Sequence, residues 1–185
     1  MTNATEVTPG QTATITWNID PTHSVAEFKV KHMMIANVKG QFSKVSGVLT
    51  LDELHLSNSR VEGSIEAVSI ETRDGQRNAH LKGTDFLDVE KVPTLHFKSK
   101  AISIVRDGES SVEGDLTIHG VTRKVHFAVE GPTPPTKGPW GNTRIAISAV
   151  TKINHKDFGL NWNAALETGG ILVGDEVRLL STLSS

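Results

Sequence analysis

Apolar and polar positions alternate with a period of two along most of the chain, the pattern of strands with one buried face and one wet face. In "HSVAEFKVKH", Ala26, Phe28 and Val30 alternate with Glu27, Lys29 and Lys31. Val45, Gly47, Leu49 and Leu51 share one face of the next such stretch. Val61, Gly63, Ile65 and Ala67 then repeat the arrangement against Glu62, Ser64 and Glu66. The rhythm resumes in "TLHFKSKAISIV", at Val112, Gly114, Leu116 and Ile118, and at Val125, Phe127 and Val129. "TRIAISAVTKI" and "EVRLLSTL" supply the closing strands. Arg106-Asp107-Gly108-Glu109 and His119-Gly120-Val121-Thr122 are hairpin signals, because Asp-Gly and His-Gly tolerate the positive φ of tight turns. The Pro-rich run from Gly131 to Gly141 cannot be strand interior.

About eight strands, joined largely by short turns with no repeated helical crossover, predict antiparallel pairing. One apolar face sustained throughout favours a single up-and-down barrel over a two-sheet sandwich, since closure removes the unpaired edges. The rhythm breaks once, in "ETRDGQRNAHLKGTDFLDVEKVPTLHF", Glu71 to Phe97. Asp74 can cap a turn beginning at Gly75, Gly83 can end it, and Thr84 offers a second cap before Phe86 and Leu87. These signals predict a short helical insert near residues 75–88, lying over one end of the barrel. Arg77, His80 and Leu81 fall at i, i+3 and i+4 and share a face of it.

Composition narrows the chemistry. The chain has six Phe, three Trp and no Tyr, so its interior volume is mainly aliphatic. It has no Cys, which excludes disulfides and thiol chemistry. A net charge of −2 provides no general field for nucleic acid. No apolar run approaches the roughly 20 residues of a spanning helix, so stable membrane insertion is not expected. The polar N-terminus lacks the basic and apolar regions of a secretory signal, which makes a cytoplasmic location the expectation. Residues 1–11 read as a flexible arm and 12–185 as one domain.

Catalytic motifs are missing. There is no Gly-x-Ser-x-Gly elbow, Walker loop or dinucleotide turn. The eight histidines never take a His-x₃-His or His-Glu-x-x-His spacing, so neither a metal nor another cofactor is expected, and no residue is assigned a catalytic role. His96 and His126 sit opposite the apolar sets of their strands and should face outward. Asp52-Glu53 reads as the end of a strand in a turn. In "TKINHKDFGLNWN", Phe158 and Trp162 either pack a loop onto the core or line a pocket.

Several ordered motifs together resemble the YceI-like family of polyisoprenoid-binding, lipocalin-like barrels. They are "WNIDPTHSVAEFKVKHMMIANVKGQF", the charged insert, "GDLTIHGVTRKV", "INHKDFGLNWN" and "GGILVGDEV", running from Trp17 to Leu180. The resemblance implies an all-β, eight-stranded antiparallel lipocalin/streptavidin-like barrel around a long apolar tunnel. It implies that an isoprenoid or fatty chain occupies the tunnel, with its polar head near one mouth. Two features depart from the family. Many relatives are exported, and the frequent Asp-Phe-Phe-Asp is here Asp85-Phe86-Leu87-Asp88.

The resulting expectation is a protein that binds, and shields, transports or stores, a long lipid such as an isoprenoid or isoprenoid quinone precursor. Candidates for the head group are Arg73, Arg77, His80 and Asp85. Candidates for the lumen are Phe28, Val30, Met34, Phe42, Leu49, Ile65, Phe86, Phe97, Ile118, Phe127, Ile147 and Trp162. An enzyme acting on a lipid or quinone precursor, with His80 or His155 as acid–base, is the alternative. A filled barrel serving as a dimerisation or stress-related module is the third reading. The sequence leaves a homodimer open.

Overall fold

A computed structural model describes residues 14–32, 36–84, 86–160 and 175–185. The N-terminal arm, Met34, Asp85 and Trp162 lie outside the described residues.

The strands form a meander that closes on itself. β1 (Thr14–Ile19) and β2 (Val25–His32) are two halves of one bent path, separated by a 3-10 turn over Pro21–His23. β3 (Ala36–Phe42) and β4 (Val45–Asp52) form the second path. β5 (Arg60–Glu66) and β6 (Ile70–Glu71) form the third, on either side of a 3-10 turn at Ala67–Ser69. β7 (Thr94–Arg106), β8 (Glu109–Ile118) and β9 (Val121–Glu130) follow as long hairpins. β11 (Thr143–Ile153) and β12 (Asp175–Ser184) complete the wall. A two-residue strand, β10 (Thr136–Lys137), pairs with β11 inside the Pro-rich loop.

Every pairing is antiparallel, and β12 closes the ring by pairing with β11 on one side and with β2 and β1 on the other. The result is the closed eight-stranded antiparallel barrel that the alternation favoured. The turns behave as their residues require: Gly108, His119 and Gly120 all take positive φ.

The helical insert is shorter than 75–88. α1 (Gly75–Lys82) ends where Gly83 turns extended, and a series of turns follows. There the amides of Leu87, Asp88 and Val89 bond back to the carbonyls of Leu81, Gly83 and Lys82. Asp88 takes φ 50°, so the backbone curls back on α1 rather than starting a second helix at Thr84.

The connections sort to two ends. α1 with its following turns, the β8–β9 turn and a 3-10 turn at His155–Phe158 lie at one end. The β4–β5 loop, the β7–β8 turn and the β9–β11 loop lie at the other.

Candidate functional site

The inward faces of the strands do not fill the barrel. They enclose a cavity of about 400 Å³. Phe28, Val30 and Phe42 line it from β2 and β3, Leu49 and Ile65 from β4 and β5, and Phe97 and Ile118 from β7 and β8. Phe127, Ile147 and Leu179 close the circuit. Two aromatic pairs shape the wall: Phe28 and Phe42 are tilted at 5.6 Å, and Phe97 meets Phe127 edge-on at 5.1 Å. Glycines make room for two of these rings. A Cβ on Gly40 would collide with the Phe28 ring, and one on Gly114 would lie 2.6 Å from Phe97 Cζ.

The two ends of the cavity differ in kind. At the α1 end it is lined by Leu81, Phe86, Leu87, His155 and Leu160, none more than 8% exposed. At the other end its wall continues through Ile104, 60% exposed, to Arg106, Asp107, Gly108, Glu109 and Ser110 of the β7–β8 turn. Gly131 and Pro132 of the β9–β11 loop complete this polar lip, and the Gly131 amide bonds the Gly108 carbonyl at 2.9 Å. The lip forms a mouth, and the described wall at the α1 end is buried and mainly apolar.

A polar clamp holds α1 at the end away from this lip. The Asp74 carboxylate accepts from the amides of Gln76 and Arg77, capping the helix. The buried Asn78 Oδ1 accepts from the Thr72 amide and hydroxyl at 2.8 and 2.6 Å, and Asn78 Nδ2 donates to Glu71 Oε1. Asn78 and the Arg73 amide hold the Glu71 carboxyl below its ordinary range. Arg77 donates through Nε to Thr72 Oγ1 and through Nη2 to the Thr72 carbonyl. This arrangement turns Leu81 inward, to 1% exposure.

Ten of the twelve lumen candidates line the cavity: Phe28, Val30, Phe42, Leu49, Ile65, Phe86, Phe97, Ile118, Phe127 and Ile147. Met34 and Trp162 lie outside the described residues. The head-group candidates fall differently. Arg73, Arg77 and His80 belong to the segment at the α1 end, but the residues of that segment that line the cavity are Leu81, Phe86 and Leu87 among the described residues. Arg77 and the Arg73 backbone serve the clamp, and Asp85 lies outside the described residues.

Sequence reasoning read the Arg106–Glu109 turn only as a hairpin and so missed the mouth. The available signal was the inward set Ile102 and Ile104, which carries β7 apolar to within two residues of that turn. The outward placement of His96 and His126 holds: they pair with Glu62 and Glu113 on the outer wall. Lys124 draws the Glu113 carboxyl below its ordinary range and is itself raised by it. Phe158 is buried against the core, whereas His155 reaches the cavity beside Phe86, ring centroids 6.5 Å apart. Among the described residues no three His, Asp or Glu side chains converge as a metal site. No helix among them is long and apolar enough to cross a membrane.

A closed antiparallel barrel around an apolar lumen, with a polar lip at one end, defines the class of this protein. The YceI-like domain matches residues 17–184, and the chain belongs to that family. A UPF0312 protein of Staphylococcus aureus is 35% identical over 163 residues, covering 88% of this chain and 92% of its own. The structure of Burkholderia cenocepacia BcnA superposes with a TM-score of 0.73 at 21% identity, covering 90% of this chain and 99% of that one. A Campylobacter jejuni YCEI protein gives 0.63 at 28% identity, covering 82% and 90%. A polyisoprenoid binding domain from Saccharophagus degradans gives 0.64 at 14% identity, covering 91% and 98%.

Proposed function

We propose that the chain binds the apolar tail of a long lipid in the barrel cavity and shields it from water, an isoprenoid or isoprenoid quinone precursor being the preferred occupant. The observation that carries this is the hollow, aliphatic and aromatic lumen with a polar lip at one end. Burying a methylene stabilises by ~0.8 kcal/mol. Ten carbons thus give roughly 8 kcal/mol, equivalent to about micromolar affinity before ordering costs are subtracted. The wall alone can therefore hold a chain usefully. The Saccharophagus degradans domain, described as polyisoprenoid binding, shares this fold and so agrees with the reading. The cavity argues against a filled barrel.

Native mass spectrometry after gentle purification, followed by organic extraction, tests the proposal. A one-to-one lipid adduct, or its reappearance when delipidated protein meets a prenyl alcohol, is the expected result. Recovery of no lipid, together with no uptake of prenyl or fatty chains, overturns it.

A further inference from the structure

We propose that the rim of the mouth docks on a lipid layer without net charge, such as phosphatidylcholine, so that the lumen opens onto the source of its ligand. The choice of partner rests on the lipid-binding reading; the rim is observed independently of it.

Single exposed apolar side chains are ordinary on a protein surface, but a concentration of them at one place marks an interaction site. The four most exposed large apolar side chains among the described residues are Trp140 at 87%, Ile104 at 60%, Val105 at 59% and Leu54 at 56%. All four lie on or at the edge of the three connections at the mouth end.

The folded backbone holds these tips in place. The Leu54 amide donates to the carboxylate of the buried Asp52 at 3.1 Å. Val105 is the extra residue of a bulge: Ile104 pairs with Ser110 and Arg106 with Glu109, which leaves Val105 without a counterpart across the hairpin. Trp140 sits at the tip of the β10–β11 hairpin. There the amides of Gly138 and Gly141 bond to the carbonyls of Asn142 and Gly138, and Gly141 takes φ 83°.

Their distribution selects the partner. Around the wall, β5 separates β4 from β7, and β8 and β9 separate β7 from β11, so the tips are spread about the opening. A protein partner needs three pockets at matching separations, whereas the interface of a lipid layer accepts aliphatic and indole side chains wherever they fall. Ile104 belongs both to this rim and to the cavity wall, so a layer touching the rim meets the lumen directly. Charge selects the kind of layer. Arg106 and Lys137 on these connections are offset by Glu53, Asp107 and Glu109, and Arg106 Nε already lies 3.0 Å from Glu109 Oε2. The rim therefore has no excess of cations to draw it to anionic head groups.

Flotation of the full chain with phosphatidylcholine vesicles tests the docking. The native chain should float, and raising the salt concentration should not release it, because apolar contact is not screened. Trp140→Ser should weaken partition about tenfold, equivalent to about 1.4 kcal/mol, and Val105→Ser should weaken it less. Val68→Ser, at a position 50% exposed but at the far end of β5 from the β4–β5 loop, should leave it unchanged. Trp140→Ser should also slow uptake of geranylgeraniol from vesicles more than its uptake from a vesicle-free dispersion.

The proposal is overturned if the native chain does not float, if it floats only with anionic vesicles and salt releases it, or if Val68→Ser weakens flotation as much as Trp140→Ser. Self-association abolished by Trp140→Ser, without flotation, assigns the rim to a second copy of the chain instead. Equal slowing of uptake from both sources breaks the link between docking and loading. Flotation with no uptake from either source leaves the docking standing and overturns the lipid-binding reading.

Discussion

Asp52 shows how much one side chain contributes at the mouth end. It is fully buried, its Oδ1 accepts from the amides of Leu54 and His55, and its own amide donates to Ser59 Oγ. Asp52→Ala leaves two amides without their acceptor and should lower stability by about 1–3 kcal/mol in urea unfolding. Asp52→Asn keeps Oδ1 and should lose less. The sequence showed the turn at Asp52-Glu53 but not the burial, because alternation cannot say that a loop folds back over an outward position.

Asp20 provides a pH test. The Thr22 hydroxyl, then His23, bonds its carboxylate and holds its pKa near 2, down from 3.8. A pKa lowered on folding stabilises the native state above the unfolded value, and that contribution is lost as pH falls toward 2. Unfolding midpoints should therefore drop between about pH 4 and pH 2 in the native protein. The drop should be smaller in Asp20→Asn. Equal drops in both would show that Asp20 does not carry this term. Gly40→Ala acts on the wall instead. Its methyl displaces the Phe28 ring and should reduce lipid uptake, measured as the adduct fraction in native mass spectrometry.

At the scale of elements, α1 was legible because its signals are local. Asp74 caps it and Gly83 stops it, as the side-chain chemistry of those positions requires. Its polar residues were misleading for the same reason. Arg77, His80 and Leu81 do share a face, but spacing cannot show that Thr72, on the approach to the helix and itself held by Asn78, would engage Arg77 first. Arg77→Ala should thus loosen α1 without changing head-group preference. Faster amide exchange across residues 75–82 with an unchanged ratio of affinities for geranylgeraniol and geranylgeranyl diphosphate is the expected outcome. A changed ratio would return Arg77 to the head-group site.

At the scale of the molecule, the barrel was visible because period-two alternation repeats in every strand and the turns are short. Whether the lumen is filled or hollow was not visible. That depends on the summed volume of inward side chains against barrel radius, which no single stretch encodes. Hollowness also predicts ligand-linked stability: lipid at about a hundred times its Kd should add ~2.7 kcal/mol and raise Tm.

Methyl NMR of Ile, Leu and Val labels tests the central claim most directly, since lumen and outer wall carry the same residue types. On adding geranylgeraniol, the methyls of Leu49, Ile65, Ile118 and Ile147 should shift and show contacts to the prenyl chain. Those of Ile15, Val48, Val68 and Leu180, on exposed positions, should stay where they are. Shifts confined to the exposed set, with the lumen methyls unmoved, would contradict lipid binding inside this barrel.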